Sequence, residues 1–364
     1  MYKKFIKYKK KNKILENKIL GGNIYNLNGS RIKEPTTLKQ SFGLFAQKQL
    51  INFGLDLLPT TKFTKSICKK MGDNNKLSDI IKFANNYNID YKTIDGCSNE
   101  QNIISCLKQS KINTMNDFFI RKRSGLPNID FTSHDILSPV DCYATMFENE
   151  SSAKQLWIKG KLFTLNRLFN RSISFTNYGV IVFRLAPHHY HRFHCPVNGR
   201  IISINKIGNK FLSVQPSIVN SSDVYTENVR LIITIKCLNG SMLYMAIIGA
   251  TCIGSIVINN FDIIEKYNKF YKTDLKIISF NDIDIDKITD LNIFLSENII
   301  NITQNIDLGY FQYGGTTIVC AYDNNKFNKS CTIGTLIYDR TLIGQHETEL
   351  KVGDKVLVNN QEIL

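Results

Sequence analysis

Long apolar runs are missing from this 364-residue chain. No run of about 20 consecutive apolar residues occurs, which is the length that a bilayer-spanning helix needs. The lysine-rich residues 3–13 continue into polar Asn and Glu, so the apolar core of a secretory signal peptide is absent as well. We therefore expect no membrane-spanning helix, and any contact with a membrane is expected to come from one side.

Several cofactor motifs are also missing. The sequence has no G-x-G-x-x-G or Walker-type loop and no H-E-x-x-H, which excludes the usual dinucleotide, nucleoside triphosphate and zinc-protease sites. Its nine cysteines include no C-x-x-C pair and form no secreted-type framework. We expect them to be reduced thiols in a cytosol-like compartment. Nothing repeats at a fixed period, which argues against a repeat architecture.

Charge and apolar periodicity divide the chain into three parts. The formal net charge is +15, and part of it is concentrated in the Asn- and Lys-rich residues 1–40, which we expect to be a disordered leader. Residues 41–135 show helical spacing, first in an amphipathic stretch at 42–59. Further helices are predicted at 76–87, 101–108 and 115–121, the last with Asn113-Thr114 as its cap.

Residues 136–364 are predicted to form a β-rich body, so the expected fold class is α+β with a mainly antiparallel sheet. The segment 259–305, rich in Ile, Asp and Asn, is predicted to be a long insertion or a loop-rich excursion. The predicted strands are 143–147, 156–158, 180–185, 200–204, 231–235, 243–248, 255–258, 317–320 and 355–358.

Histidine is concentrated at one place. Four of the six histidines, at positions 188, 189, 191 and 194, lie between Pro187 and Pro196. Imidazole exchanges protons near neutral pH and is the commonest metal ligand, so both acid–base chemistry and a metal site are open. The structural alternative is that two of these rings are on the surface and two are hydrogen-bonded in the core.

Two other segments carry reactive groups. Asp141 follows a Pro-started turn just before a predicted strand, where it could orient a histidine or simply bond its own backbone. Gly314-Gly315 precede Thr316 between two predicted strands, which most often indicates a hairpin turn. Alternatively, the Thr316 hydroxyl attacks the Gly315 carbonyl, with a nearby histidine as base, and converts the amide to an ester.

Together these segments resemble the phosphatidylserine decarboxylase family. The similarity covers roughly residues 110–360, and its motifs occur in the family's order. They are FFIR at 118–121, SPVD at 138–141, KGKLFTL at 159–165, LAPHHYHRFHCP at 185–196, ENVR at 227–230, GATCIGSI at 249–256, GYFQYGGTTIV at 309–319 and IGQHETE at 343–349.

The resemblance implies a role for each site residue. Self-cleavage is expected between Gly315 and Thr316, giving a large chain of residues 1–315 and a small chain of 316–364. Asp141 and His194 would form the charge relay for cleavage, and His191 would act in the decarboxylation step. No role is assigned to the histidines at 188 and 189.

The resemblance also implies a cofactor made from the chain itself. In the family a Ser becomes an N-terminal pyruvoyl group; Thr316 stands at that position, so a 2-oxobutyryl group is expected here. It would form a Schiff base with the amine of phosphatidylserine, and loss of CO2 would leave phosphatidylethanolamine. No metal, nucleotide or pyridoxal phosphate is expected.

The expected partner is an anionic phospholipid surface on the cytoplasmic side of a membrane, approached peripherally and aided by the positive charge. The large and small chains are expected to stay associated, and a homodimer is allowed. Three alternatives stay open: a family member acting on a soluble amino acid, a degenerate homologue that no longer cleaves itself and serves in binding or structure, and a nucleic-acid binder using the basic leader.

Overall fold

The fold is taken from a computed structural model that describes much of the chain between residues 72 and 327 and short pieces outside that range. The described residues are 24–25, 31–32, 72–124, 132–147, 164–173, 176–186, 188–208, 210, 212, 223–250, 256–279, 300–302, 306–312, 316–327, 347–350 and 352. Most of the predicted leader, the stretch at 42–59 and the predicted strands 156–158 and 355–358 lie outside them.

Three helices form a small unit with its own core. They are α1 (Leu77–Asn86), α2 (Ile103–Gln109) and α3 (Met115–Phe119), with a 3-10 turn at Tyr91–Thr93 between the first two. At the start of α3 the Thr114 side chain accepts the Asp117 N–H in a capping box, which satisfies helix-end amides and confirms the predicted cap. All three predicted helices are thereby confirmed within two residues at each end.

The cysteine prediction was wrong for one pair. Cys97 and Cys106 form a disulfide within the helical unit, where the Cys97 loop lies against α2. Sequence spacing gave no sign of it, because a loop and a helix brought the two thiols together. The described cysteines at 142, 195, 237 and 320 are buried free thiols, in agreement with the prediction.

The described strands of the β body form two sheets, one of ten strands and one of four. The ten-stranded sheet has the order β11-β6-β7-β8-β13-β4-β3-β14-β1-β2, and the four-stranded sheet has the order β10-β9-β12-β5. The strands are β1 (Ile24–Tyr25), β2 (Arg31–Ile32), β3 (Cys142–Phe147), β4 (Tyr178–Leu185), β5 (Arg192–His194), β6 (Gly199–Ile207), β7 (Arg230–Cys237), β8 (Met242–Ile248), β9 (Ile256–Ile258), β10 (Ile278–Ser279), β11 (Ile300–Ile302), β12 (Asp307–Phe311), β13 (Thr316–Asp323) and β14 (Glu347–Leu350).

The pairing is antiparallel throughout the described strands except between β1 and β14, which run parallel. Seven predicted strands are therefore confirmed, and the α+β class with them. The helices α4 (Leu165–Phe169) and α5 (Val224–Glu227) were not predicted, since each is too short to show a helical period.

The side chains of the strands point alternately to the two faces of the ten-stranded sheet and form an apolar layer on each face. In β4, Ile181 and Phe183 face the core between the two sheets, whereas Val180 and Val182 face the opposite side with α4 and α5. Side chains on a strand point to alternate faces, so a sheet covered on both sides needs apolar residues at nearly every position. This explains why the strands read as continuous apolar runs.

The described part of the segment 259–305, residues 259–279 and 300–302, contains regular structure that was not predicted. It contains the eleven-residue helix α6 (Phe261–Tyr271), which begins where the Asn260 side chain accepts the Ile263 N–H. Ile263 is fully buried against the core between the sheets. The many Asn and Asp residues of this segment had indicated loops, but burial of one apolar helix face outweighs that signal.

A matched pair of leucines tests the core. Leu243 in β8 is fully buried between the sheets, whereas Leu238 in the turn before β8 is 70% exposed. We expect Leu243→Ala to lower the free energy of unfolding by about 2–5 kcal/mol, because it leaves a cavity. The control Leu238→Ala should change it by less than about 0.5 kcal/mol. Urea unfolding followed by circular dichroism measures both, and equal losses would contradict this core.

Candidate active site

One end of the ten-stranded sheet gathers the residues singled out in the sequence. The β13 residue Thr316 pairs with Leu185, the last residue of β4, and Tyr143 of β3 pairs with Arg184. Asp141 directly precedes β3, so it lies at the same sheet end as Thr316, with β4 between them. Neighbouring strands are about 4.8 Å apart, so the backbones of these segments are two strand spacings apart at this end.

The hairpin interpretation of the Gly-Gly-Thr segment was wrong. Residues 307–311 form β12 of the four-stranded sheet, whereas Thr316 begins β13 of the ten-stranded sheet. The chain therefore passes from one sheet to the other at this point instead of folding back on itself. Gly315 lies outside the described residues, and Thr316 is the first described residue after the crossing.

Thr316 is completely buried. Its Oγ1 donates a hydrogen bond to the carbonyl oxygen of Ile248, the last residue of β8. The next hydroxyl, Thr317 Oγ1, points to the opposite face by strand alternation and is buried with no hydrogen-bond partner among the described residues. The Thr316 side chain is thus a buried hydroxyl at this end of the ten-stranded sheet, where β13 lies between β4 and β8. We call this end of the sheet the rim.

The rim on the β8 side is held by a buried asparagine. The Asn228 side chain donates to the carbonyl oxygens of Leu212 and Gly249, both at 2.8 Å, and accepts the Leu212 N–H at 2.9 Å. Gly249 follows Ile248, which accepts the Thr316 hydroxyl. Asn228 therefore fixes the backbone next to Ile248, the residue whose carbonyl oxygen accepts the Thr316 hydrogen bond.

Asp141 is nearly completely buried, and its carboxylate is held from two sides. Arg123 makes a bidentate contact, with Nη1 to Oδ1 at 3.1 Å and Nη2 to Oδ2 at 2.7 Å. The backbone N–H of Val352 donates to Oδ1 at 2.8 Å. Two segments more than 200 residues apart thereby meet on one carboxylate, and both oxygens have charge-assisted partners.

His194 lies on β5, beside the segment that carries Asp141. Its backbone N–H donates to the Pro139 carbonyl oxygen at 2.8 Å, two residues before Asp141. Its ring Nε2 is 3.3 Å from the Tyr190 hydroxyl, and the Arg123 guanidinium lies over the Tyr190 ring at 4.8 Å. Asp141, Arg123, Tyr190 and His194 therefore form one continuous series of contacts.

His191 is fully buried next to the β4 end. Its Nε2 is 3.0 Å from the carbonyl oxygen of Ala186, the residue after the Thr316 partner Leu185. Its ring stacks on Phe119 of α3 with centroids 3.6 Å apart. The helical unit thus supplies one wall of the site and limits the orientation of the His191 ring.

The other two histidines have structural contacts. His189 Nδ1 accepts the Ala186 N–H at 3.0 Å, which tightens the turn after β4. The half-buried ring of His188 stacks on Tyr87, the residue that follows α1, with centroids 5.0 Å apart. Three of the four histidines are buried, so the structural alternative with two rings on the surface was wrong. Among the described residues no three His, Cys, Asp or Glu side chains converge as metal ligands.

Burial and neighbouring charges shift the pKa values of three side chains in this cluster, those of Arg121, Arg123 and Tyr190. Burial lowers the pKa of Arg123, but the adjacent Asp141 carboxylate more than offsets this effect, and the net pKa is raised. Burial, with the nearby Arg123 charge, lowers the pKa of Arg121 to about 10. Burial also raises the pKa of Tyr190, so its phenol stays protonated at neutral pH and has an O–H to donate.

Sequence reasoning missed five residues that build this site. Arg123 had a weak signal, since it belongs to the basic run at 121–123 that follows a predicted helix, but nothing in the sequence paired it with an acid. The others are Phe119, Tyr190, Asn228 and the backbone amide of Val352. The first three lie in the motifs at 118–121, 185–196 and 227–230, but their contacts are tertiary, so the motifs gave none of them a role.

The described helices include none that is both long and apolar enough to cross a bilayer.

Comparisons with known proteins agree on one family. A family model described as phosphatidylserine decarboxylase matches residues 115–355. The phosphatidylserine decarboxylase proenzyme 2 of Komagataella phaffii is 29% identical over 263 residues, which cover 68% of this chain and 22% of that protein. The phosphatidylserine decarboxylase proenzyme of Clostridium tetani is 29% identical over 314 residues, which cover 84% of this chain and 87% of that protein.

Proenzyme 2 of Saccharomyces cerevisiae is 30% identical over 232 residues, covering 62% of this chain and 17% of that protein. The chain thus spans about a fifth of the length of the two yeast relatives. The bacterial relative, in contrast, aligns over most of both chains.

Removal of the Asn228 side chain tests how the rim is built. Asn228→Ala would leave the Leu212 and Gly249 backbone groups buried without their partner, so we expect a loss of about 2–4 kcal/mol in the free energy of unfolding. Asn86→Ala, at an exposed position in α1, is the control and should cost less than about 0.5 kcal/mol. Urea unfolding measures both, and an unchanged Asn228→Ala midpoint would contradict the role given to this residue.

Proposed function

The chain belongs to the phosphatidylserine decarboxylase family, and we propose that it is a self-processing enzyme that converts phosphatidylserine to phosphatidylethanolamine and CO2. The observation that carries the proposal is the sheet end at which buried Thr316, the Asp141–Arg123 pair and two buried histidines lie together. Buried polar groups are costly unless a function or a complete network retains them.

Self-cleavage begins at the Thr316 hydroxyl. His194 accepts its proton, directly or through the Tyr190 hydroxyl, while Oγ1 attacks the Gly315 carbonyl carbon. The bond between that carbon and the Thr316 nitrogen then breaks, His194 returns the proton to the nitrogen, and the amide becomes an ester with a free amine. For this attack Oγ1 has to exchange its hydrogen bond with the Ile248 carbonyl. Asp141 supplies a fixed negative charge near His194 and favours the imidazolium that forms.

Breakdown of the ester releases the new amino terminus. A base removes the Thr316 Cα proton, the Cβ–Oγ1 bond breaks, and Gly315 leaves as a carboxylate. The resulting dehydrobutyrine tautomerises to an imine, and water then converts it to a 2-oxobutyryl group with loss of ammonia. The family depends on a pyruvoyl group; the extra methyl group of Thr316 makes the homologous ketone.

Thr316 is itself the precursor of that group, so the buried end of β13 fits its position. The group supplies an electron sink for loss of CO2. Around it, the protein excludes water and orients the substrate. His191, held by the Ala186 carbonyl and the Phe119 ring, is suited to deliver a proton to the substrate carbon after CO2 has left.

Both products of cleavage would stay together. The small chain begins with β13, which lies between β4 and β8 in the middle of the large sheet. It also contributes β14, which lies between β1 and β3, and the Val352 amide that holds Asp141. Separation would break four strand pairings and expose a buried core, so the two chains are expected to remain one folded unit.

We propose an anionic membrane surface as the place of action. The +15 charge attracts the protein to phosphatidylserine-containing bilayers, and the substrate itself is anionic. A homodimer and a peripheral position on the cytoplasmic side belong to the same proposal.

Intact-mass spectrometry tests self-cleavage. We expect purified protein to contain two chains separated between Gly315 and Thr316, the smaller one blocked at its amino end by a 2-oxobutyryl group. Thr316→Ala removes the nucleophile and should leave only the full-length 41.7 kDa chain. Uncleaved wild-type protein would favour the second candidate, a non-cleaving homologue, for which the hydroxyl bonded to the Ile248 carbonyl is the supporting observation.

Release of labelled CO2 from carboxyl-labelled phosphatidylserine in anionic vesicles tests the reaction. Activity is expected in cleaved wild-type protein, and His194→Ala should abolish both cleavage and activity because the base is lost. Thr316→Ser should cleave at least as fast as wild type, since serine lacks the β-methyl group that crowds the attack. A cleaved protein that decarboxylates a free amino acid but not the lipid would overturn the proposed substrate.

A further inference from the structure

We propose that Arg123 is a positioning residue that keeps the Asp141 carboxylate ionised and fixes its plane beside the segment that holds His194, an inference that rests on the proposed function. Its guanidinium contacts both carboxylate oxygens, at 3.1 and 2.7 Å. Such a fork-to-fork contact fixes the plane of the carboxylate as well as its position. The sequence suggested only a histidine or its own backbone as the partner of Asp141, so this contact adds a residue to the site.

Asp141 needs a cation because of its burial. Its side chain is 2% exposed, whereas that of Arg123 is 20% exposed. Desolvation favours the protonated form of a buried carboxyl group, and a protonated Asp141 would carry no charge with which to favour the His194 imidazolium. An adjacent guanidinium reverses this preference, and together with the Val352 N–H it gives the carboxylate three hydrogen-bond donors.

Arg123 also reaches the His194 side of the site. The same guanidinium lies 4.8 Å above the Tyr190 ring, and the Tyr190 hydroxyl is 3.3 Å from His194 Nε2. The Arg123 side chain therefore fixes the position of both the Asp141 carboxylate and the Tyr190 ring, whose hydroxyl contacts the base. A lysine cannot make this double contact, because its ammonium is a point charge on a flexible stem.

Neighbouring arginines do not duplicate this geometry. Arg121 Nη1 donates to the Phe118 carbonyl oxygen at 2.9 Å, and Arg192 forms an ion pair with Asp307 and donates to the Ile120 carbonyl oxygen. Their charges still act on the cluster. The charged and titratable groups that face Asp141 and Tyr190 are Arg121, Arg123, Arg192, His194 and Asp307.

Two substitutions separate charge from geometry in the rate of self-cleavage. Arg123→Gln removes both, so Asp141 should protonate at higher pH and the acid limb of the rate profile should move up by about one to three pH units. A shift of one unit makes cleavage on that limb about tenfold slower. Arg123→Lys keeps the charge and loses the fork, so the rate should fall while the acid limb stays within about half a unit of wild type.

The matched control is Arg200→Gln, at a half-exposed position on β6, which should cleave like wild type. Circular dichroism verifies that each variant is folded. A merely structural Arg123 would slow cleavage without moving the pH profile, and that result would overturn the proposal. So would a wild-type rate and profile in Arg123→Gln.

A second measurement does not depend on cleavage. In the full-length Thr316→Ala chain, carbon-13 NMR of aspartate-labelled protein follows Asp141, whose signal is identified by its loss in Asp141→Asn. Arg123→Gln should raise the pKa of Asp141 and Arg200→Gln should not; an unchanged titration would refute the positioning role. If wild-type protein fails to cleave, the proposed function fails, and this titration still decides the role of Arg123.

Discussion

The antiparallel register at one end of the ten-stranded sheet determines where Thr316 and the segment that carries Asp141 lie relative to each other. Thr316 is opposite Leu185 and Tyr143 is opposite Arg184, so segments distant in sequence meet at one rim. Backbone hydrogen bonds hold this arrangement, since each buried N–H and C=O in the sheet needs a partner. A slip of one residue would turn Thr316 from the face it shares with Ile318 to the opposite face.

Burial strengthens the hydrogen bonds and the ion pair of the polar groups at this rim. The hydrogen bonds of Asp141, Thr316 and Asn228 are shielded from water. In the protein interior, hydrogen bonds and ion pairs are stronger than in water, and unpaired polar groups are costly. The helical unit contributes to the same enclosure, because Phe119 covers His191 and Arg123 follows α3. The helices are thus part of the site, although they are separate from the sheets in sequence and have their own core.

Local patterns predicted much of the fold. The helices α1 to α3 and seven strands were found because burial on one or both faces leaves a period in the sequence, and Thr114 was found because caps have a local chemical signature. The Cys97–Cys106 disulfide, the crossing at Thr316 and the helix α6 were not found. Each depends on what packs across from the segment, and spacing along the chain does not contain that information.

The same division applies to the site. The sequence by itself determined the reactive groups: a run of histidines, an aspartate in a turn, and a hydroxyl after two glycines, in the order that resembles one family. Only the tertiary structure decided their partners, such as Arg123 and Val352 for Asp141, Tyr190 for His194 and the Ile248 carbonyl for Thr316. The physical reason is that reactivity is a property of the side chain, whereas orientation and charge state are set by neighbours that long-range strand pairing and packing bring together.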